Sequence, residues 1–573
     1  MYIVKQQING RDYFYIRRSE RKGNQVKSKL VCYGGKTREI AEKKLEELKS
    51  GEKVTKEKDF EPTPISIEEL ANFCKKKGFV FRSSDIYGGL AGFWDFAPLG
   101  VELFNNLKQD WWNYFVRSRE NMEGIEASII SHPKTWKVSG HLDNFNDLMI
   151  YCEKNKKWIR VDHLIEEVLD INVEGLEEAK ILELVNKNKN KFSEKGYFLG
   201  EELKKLNLMF ATNIGPVEDE SGRAYLRGET AQGMFLDFKI VQQTSRQQLP
   251  FGIAQIGRCF RNEIAPRDFL FRVREFHIGE FEFFIHPDEK KCNLLNENHL
   301  NLIFNLLNEE TQKLGKSDLT KISIGDLLES KKLGEWHAYW LAEQIKWFYS
   351  LGLKEIKIRE HTKDELSHYS SATFDIDYQY SFGSKEVAGI ANRGQYDLTQ
   401  HQEGSKESME IFDEKTKSKI VPRVIEPTFG MERVFLAVLT KAYCFDEARK
   451  NVVLRLHPKL APVKAAVFPI IKKPEYEKFA QEIVDDLKKE WNVVYDRSGS
   501  IGRRYARNDE IGTPMCITID EKTPEDNSVT IRDRDTSEQI RAKIKDLREI
   551  VRQVVSGEDL LRFGKKVETR VKK

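Results

Sequence analysis

Apolar and polar residues alternate over residues 1–35, as in YFYIRR and KSKLVCY, with Asn9-Gly10 and Gly34-Gly35 as turn signals. A period of two puts neighbouring side chains on opposite faces of a strand, which predicts a small β-hairpin unit. The period then changes. Residues 37–49 carry Ile40, Leu45 and Leu48 among charges and read as a helix, as do residues 67–77. Residues 101–116 repeat apolar positions at Leu103, Phe104, Leu107, Trp111 and Phe115, which is helical spacing. Residues 51–64, GEKVTKEKDFEPTP, have the charge and proline of a linker. Residues 163–207 are rich in Lys, Glu and Asn and read as a helical insertion with an unpatterned middle, and 287–370 as a second, mostly helical block. After Pro458 and Pro462 the continuous apolar run VKAAVFPII suggests a buried parallel strand. A helix over 476–490, the strand-like WNVVYD, a Gly/Arg loop, TPMCITID, NSVTIRDRD and a last helix from Ser537 to about Val555 follow. That alternation predicts a small α/β domain.

Three stretches carry candidate chemistry. Residues 257–284, GRCFRNEIAPRDFLFRVREFHIGEFEFF, read as two strands around a polar turn. Cys259, Arg261 and Glu263 would share one face; Arg272, Arg274, Phe276, Ile278, Glu280 and Glu282 would share another. An exposed strand pair with surface ion pairs is one reading. A floor for a nucleoside triphosphate is the other, with forked arginine donors on phosphates and an aromatic under the base. Residues 423–443, RVIEPTFGMERVFLAVLTKAY, read as strand, turn at Gly430 and apolar helix, with Arg433 in the first turn, where anions bind readily. Taken alone, this stretch is more commonly a buried helix with one capping charge. Residues 224–238, AYLRGETAQGMFLDF, read as a turn entering a helix with Glu229 or Thr230 near the cap.

Composition narrows the class. The 573 residues are 40% hydrophobic and 32% charged, enough for several domains. No apolar run is long enough to span a membrane, and the N-terminus lacks a secretory apolar core. Seven cysteines are scattered without C-x-x-C, which excludes a zinc ribbon or disulfide framework and fits a reducing, cytoplasmic setting. Net charge is only +3, so any nucleic acid must meet local basic patches. One lies in residues 1–35, with eight Lys/Arg against Asp12 and Glu20 beside Tyr13, Phe14, Tyr15 and Tyr33; RNA binding and a solvated charged face both fit. A second is Arg497, Arg503, Arg504, Arg507, Arg532 and Arg534 with Tyr495 and Tyr505, read as an RNA face against ordinary paired surface charge. Gly34-Gly35-Lys36-Thr37 is not a phosphate loop, because the first glycine position holds Leu30.

The wording F-R-N-E, a loop, then F-R-V-R-E-F resembles motif 2 of class II aminoacyl-tRNA synthetases, in the form used by glycyl-tRNA synthetases of the homodimeric type. E-P-T-F-G-x-x-R resembles motif 3, and YGGL followed by PLGVELFNNLKQDWW resembles motif 1. The R-G-E-T-A-Q-G stretch resembles the family's R-P-E-T-A-Q-G, with Gly228 where proline is usual; the glycine loosens the turn in principle and puts the rigidity of Glu229 in doubt. The resemblance implies an α+β class II catalytic domain, an antiparallel sheet flanked by helices, over 59–459 with insertions at about 163–207 and 287–370. It also implies a C-terminal α/β anticodon-binding domain over 460–573; the small N-terminal module, 1–58, lies outside it. Implied activity is ATP-dependent formation of glycyl-adenylate and transfer to the 3′ end of tRNA(Gly), with Mg²⁺ on the phosphates, in a homodimer formed through residues 101–116. Implied ATP contacts are Arg261 at the α-phosphate, Asn262, Glu263 at the adenine amino group, Arg272 at the γ-phosphate, Val273, Phe276 and Arg433 around adenine, and Glu386 and Val387 from SKEVAGIANRGQYDL; Glu386 is the candidate carboxylate for Mg²⁺. Arg261 and Arg433 are the implied catalytic pair. Glu229, Glu280, Glu426 and Thr428 would receive glycine, with Arg160 for its carboxylate, and Arg503, Arg504 and Arg507 the anticodon.

Overall fold

The computed structural model describes residues 60–567 apart from 172, 174, 175, 177, 217–219, 364 and 367–369, together with the backbone pairing of three N-terminal strands. These strands, Tyr2–Ile8, Arg11–Lys22 and Gln25–Gly35, pair antiparallel in sequence order, as their alternation predicts. The helix expected over 37–49, most of the linker and the basic side chains of the N-terminal module other than Lys5 lie outside the described residues.

Ile67–Lys77 forms the expected helix. Ser66 and Glu69 satisfy each other's backbone N–H groups in a reciprocal capping box, and Gly78 ends the helix at φ +80°, a conformation that favours glycine. Pro98–Trp112 continues into a π turn at Asn113–Arg117. Its stripe of Leu103, Phe104, Leu107, Trp111 and Phe115 is fully used by the chain's own core, where Trp111 meets the Phe281 and Phe429 rings. The stripe therefore does not face a second subunit; the exposed row on this helix is Val101, Asn105 and Gln109.

The centre of the molecule is a nine-stranded sheet. Its order from one edge is Thr320–Ser323, Ile303–Leu307, Ile356–Glu360, Thr373–Tyr380, Gly383–Gly394, Arg423–Gly430, Glu275–Ile285, Phe251–Phe260 and Met122–Gly124. Pairing is antiparallel except at Ile303–Leu307 with Ile356–Glu360 and at the Met122–Gly124 edge. The block 287–370, read as mostly helical, thus contributes three strands that prolong this sheet. Alternation along Glu275–Ile285 divides the two faces. Phe281 and Phe283 pack on Trp340 and Trp336 of the helix Glu335–Ser350, with ring centroids 4.7 and 5.1 Å apart. Glu280, Glu282 and Phe284 face the other way, where Phe284 meets Phe235 and Phe238 of the helix Ala231–Ser245. One face is aromatic core; the other begins as core and becomes polar toward Glu280.

Asn146–Cys152, Lys157–Arg160 and Leu199–Asn207 form a separate three-stranded sheet. It packs on the helices Val161–Leu169 and Glu178–Lys187 around Ile150, Leu164, Ile181, Val185 and Phe192. The strand Leu199–Asn207 falls in a segment read as helical; its sequence, LGEELKKLN, has too few apolar residues to show a period of two.

The C-terminal sheet runs Val493–Tyr495, Ala465–Pro469, Met515–Ile519, Ser528–Asp533, Gln539–Lys543, Lys565–Lys566, the first three strands parallel. Two details differ from expectation. Ile501–Glu510 is a helix where a Gly/Arg loop was expected, because its buried face is made of Arg504, Asn508 and Asp509 and shows no apolar periodicity. Residues 539–543 form a strand, so the last helix is only Leu547–Val555. The domain is joined to the catalytic sheet's surroundings by Lys77–Glu510 at 2.6 Å, Arg449–Asp509 at 3.1 Å and Asn106 donating to the Leu460 and Ala461 carbonyls.

Candidate active site

The polar face of the central sheet is built by three adjacent strands. Glu280 lies directly across from Thr428, and Gly389 lies across from Thr428 on its other side. Glu426 shares the face of Thr428, two residues away. The turn before the helix Ala231–Ser245 closes over them. Thr230 stands at the helix start but does not cap it; its Oγ1 donates to Glu280 Oε2 at 2.6 Å, while Thr428 Oγ1 donates to Glu280 Oε1 at 2.7 Å. Glu280 is thus held by two hydroxyls. Burial, and then the charge of Glu229, push its carboxyl upward.

Glu229 is fixed despite the glycine before it. His141 Nε2 lies 3.0 Å from its Oε2, and Gln232 Nε2 donates to its Oε1 at 3.0 Å. Burial opposes ionisation here, but His141 outweighs it and holds Glu229 well below the usual carboxylate range. The rigidity that proline would give the backbone is supplied through the side chain instead. Gly228 itself does separate work: its carbonyl accepts from Arg261 Nε at 3.1 Å. Behind this pair, Arg393 donates from Nη1 to Glu426 Oε1 at 2.7 Å and clasps Asp397 at 2.7 and 2.8 Å. Gln232 links Glu229 to Asp397, and His401 donates to Gln232.

Next to this acidic pocket lies a set of guanidinium groups. Arg261 sits between two aromatic rings, 5.1 Å from the Phe145 centroid and 5.3 Å from Phe276. Its strand ends at Phe260 and the return strand begins only at Glu275, so Arg261–Glu263, Arg272 and Arg274 belong to a loop rather than to strand faces. That loop is shaped by an Arg267–Arg272 bridge and by Asp268 and Phe269 in the left-handed region. Asn262 N–H donates to Leu208 O at 2.7 Å. Arg272 Nη1 donates to His163 Nε2 at 2.7 Å; burial and the charge of Arg160 hold that imidazole at about 3, so it accepts as a neutral ring. Val273 is buried beside Arg272. Arg433, in the first turn of Met431–Ala442, lies 4.5 Å over the Phe271 ring and pairs with exposed Glu386 at 2.9 Å; Val387 is buried.

Upstream, Gly257 makes a close approach possible. A Cβ there would come within 2.2 Å of Arg227 Nη2, and Arg227 donates to Arg258 O and Ala127 O, tying the turn before Glu229 to the central strands.

Arg160 pairs with Asp147 at 3.0 Å and Asp162 at 2.5 Å and approaches Glu263 at 3.7 Å. One expectation is corrected by this geometry. Arg504 does not belong to a solvent-facing basic patch: it is 3% exposed, and its Nη1 donates to Pro469 O at 2.7 Å. Arg532 and Arg534 are buried too, the first with both Asp509 oxygens at 2.8 and 2.9 Å, the second on Gly512 O and Asp535. Arg503 and Arg507 are exposed. His141, Phe145, His163, Arg393 and Asp397 were not singled out from sequence, and Thr230 and Glu282 were named there only for a helix cap and a strand face. Thr230 and Arg393 lie inside stretches already noticed, whereas His141, Phe145 and His163 approach from far upstream and carry no local signal.

Family models agree with this division. One for the tRNA synthetase class II core domain (G, H, P, S and T) matches residues 216–322, and one for the anticodon binding domain matches 464–554. Among curated proteins, a glycine–tRNA ligase of Caldanaerobacter subterraneus subsp. tengcongensis is 43% identical over 492 residues, covering 84% of this chain and 97% of the relative. Those of Geobacillus thermodenitrificans and Thermobifida fusca are 44% and 40% identical, covering 84% and 86% of this chain and 96% and 98% of theirs. With near-complete coverage of such relatives and a class II core joined to an anticodon-binding domain, the chain belongs to the glycine–tRNA ligase family of class II aminoacyl-tRNA synthetases.

Proposed function

We propose that the protein activates glycine with ATP and passes the glycyl group to the 3′ end of tRNA(Gly). The observation that carries this is the juxtaposition of Arg261, held between two rings on the Gly228 carbonyl, with the Glu229–Glu280–Thr428 pocket one residue beyond that carbonyl. An amino-acid ammonium seated on the carboxylates would present its carboxylate toward Arg261. Attack of that carboxylate on the α-phosphate needs no side-chain nucleophile; alignment and stabilisation of the growing phosphate charge supply the rate.

Arg261 is assigned the α-phosphate and Arg272 the γ-phosphate side, each positioned by a neutral acceptor that leaves its charge for the ligand. Glu263 takes the adenine amino group, with Asn262 and Val273 shaping the loop. Phe276 and Arg433 flank adenine, which would enter between the Arg261–Phe276 and Arg433–Phe271 pairs. Glu386 offers one exposed carboxylate on the nucleotide side, which suits a Mg²⁺ that arrives on ATP phosphates and keeps its waters; the ion would neutralise phosphate charge. Glycine's ammonium is assigned to Glu229, Glu280, Glu426 and the Thr428 hydroxyl. The Thr428 methyl, with its hydroxyl turned to Glu280, narrows the space where a Cβ would go. In the C-terminal domain Arg503 and Arg507 are the arginines retained for anticodon contact, and the exposed row on Pro98–Trp112 remains available for a homodimer.

ATP–pyrophosphate exchange tests the reading. Stimulation by glycine, with little by alanine or serine, is expected; exchange driven by alanine or serine but not glycine would overturn it.

A further inference from the structure

Glu282 lies one pleat beyond Glu280 on the same face of the same strand and is 0% exposed. Neither of its carboxyl oxygens has a hydrogen-bond partner. Yet ligand oxygens of Glu280, Glu282 and Glu426 all lie within 4.8 Å of one another. A buried acid with no partner is costly, so it points either to a ligand or to a proton.

The charges around it distinguish these. The groups facing Glu282 are Glu426, Arg393, Glu280 and Asp397. Arg393 is already shared between Asp397 and Glu426. Glu229 is matched by His141, and Glu280 is steadied by the Thr230 and Thr428 hydroxyls. One guanidinium offsets only one of Asp397 and Glu426, so unmatched negative charge remains beside Glu280. A further ionised acid within 4.8 Å, in a dry setting and without a counter-ion, would add strong like-charge repulsion. Among the three, the proton belongs on the acid that no cation or hydroxyl touches. Burial, and then the neighbouring Glu426, push the Glu282 carboxyl well upward.

We propose that Glu282 is a neutral carboxylic acid that donates its single O–H to one of its acid neighbours, Glu280 or Glu426, and so adds no negative charge to the face that receives the ammonium group. The inference rests on the reading of this pocket as the seat of the amino-acid ammonium. Glu282 acts through its neighbours and is a positioning residue.

The test compares Glu282→Gln, which keeps a neutral donor of nearly the same shape, with Glu282→Leu, which removes it. KM for glycine and for ATP are measured by exchange, with thermal melts as a folding control. Glu282→Gln is expected to keep KM for glycine within about threefold of wild type. Glu282→Leu is expected to raise it about tenfold or more, with KM for ATP little changed, as the loss of a buried donor implies. A protonated-carboxyl band in the infrared spectrum of the wild type should vanish in Glu282→Gln. An unchanged glycine KM in Glu282→Leu would overturn the proposal, as would a Gln variant as impaired as the Leu variant, which would mean that the negative charge is needed. Calorimetric binding of glycine that collapses when a chelator is added would assign the three acids to a metal ion and also overturn it. Glu280→Gln separates the two levels: if it abolishes glycine-dependent exchange while both Glu282 variants behave as wild type, the pocket reading stands and the role of Glu282 fails.

Discussion

Arginines in the catalytic half and in the C-terminal half look alike in sequence, yet they are held in opposite ways. Arg532 is buried against both oxygens of Asp509, and Arg504 and Arg534 are turned onto backbone carbonyls inside their domain. Arg261 and Arg272 are partly buried as well, but their side-chain hydrogen bonds go to a carbonyl and to a neutral imidazole, with aromatic rings alongside Arg261. A guanidinium matched by a carboxylate has its charge consumed by the fold. One oriented by neutral groups keeps its charge for an anion. Partner separates Arg532 from Arg261 and Arg272, whereas Arg504, which also bonds carbonyls, is set apart by its burial.

The contrast can be broken most severely at Arg532. Arg532→Met leaves buried Asp509 with only its 3.1 Å contact to Arg449, and a stability loss of about 3 kcal/mol, the lower end for a broken buried pair, is expected in urea unfolding. Exchange activity measured under folding conditions should stay near wild type. Arg261→Ala should do the reverse: a fall in glycine-dependent exchange of about 10²–10³-fold, in line with removal of one preorganised donor, and a melting temperature within a few degrees of wild type. If Arg261→Ala instead unfolds the protein with activity per folded molecule unchanged, the distinction fails. A smaller effect sharpens the background against which both are measured. His337, buried between the helix Glu335–Ser350 and the sheet, is lowered to about 4 by desolvation. Its folded value lies below the unfolded one, so the unfolded chain binds the extra proton as pH falls. Its contribution to stability should decline by up to about 1.4 kcal/mol per pH unit below about 6.5, levelling near 4, and His337→Leu should make the slope of unfolding shallower by that amount across this range, leaving the part due to other buried imidazoles such as His163. The smallest effects belong to Arg503 and Arg507. Replacing each by Ala should change stability by under about 1 kcal/mol, while lowering tRNA affinity and reducing its salt slope by about one unit per residue; an unaltered slope would remove them from the RNA face.

The sequence showed most where chemistry and chain order coincide. The stretches around Arg261, Glu280, Thr428 and Arg433 were recognisable because each packs several functional residues into one strand or turn. Burial was not recognisable for Arg504, Arg532 and Arg534, since a strand or helix that buries ion pairs has the same composition as one that exposes them. Contacts made at long range were also out of reach. His141 reaches Glu229 over a sequence separation of 88 positions, and His163 reaches Arg272 over 109, with no periodicity to mark either. The strands at 303–307 and 356–360 escaped notice because they alternate with helices that dominate the local pattern.

The satellite unit over residues 146–207 touches the nucleotide loop at two points, Arg160 near Glu263 and His163 on Arg272. Those two loop residues are assigned opposite ends of ATP. A change in how this unit sits would reach both ends of the loop together, and excising it should weaken nucleotide recognition at both.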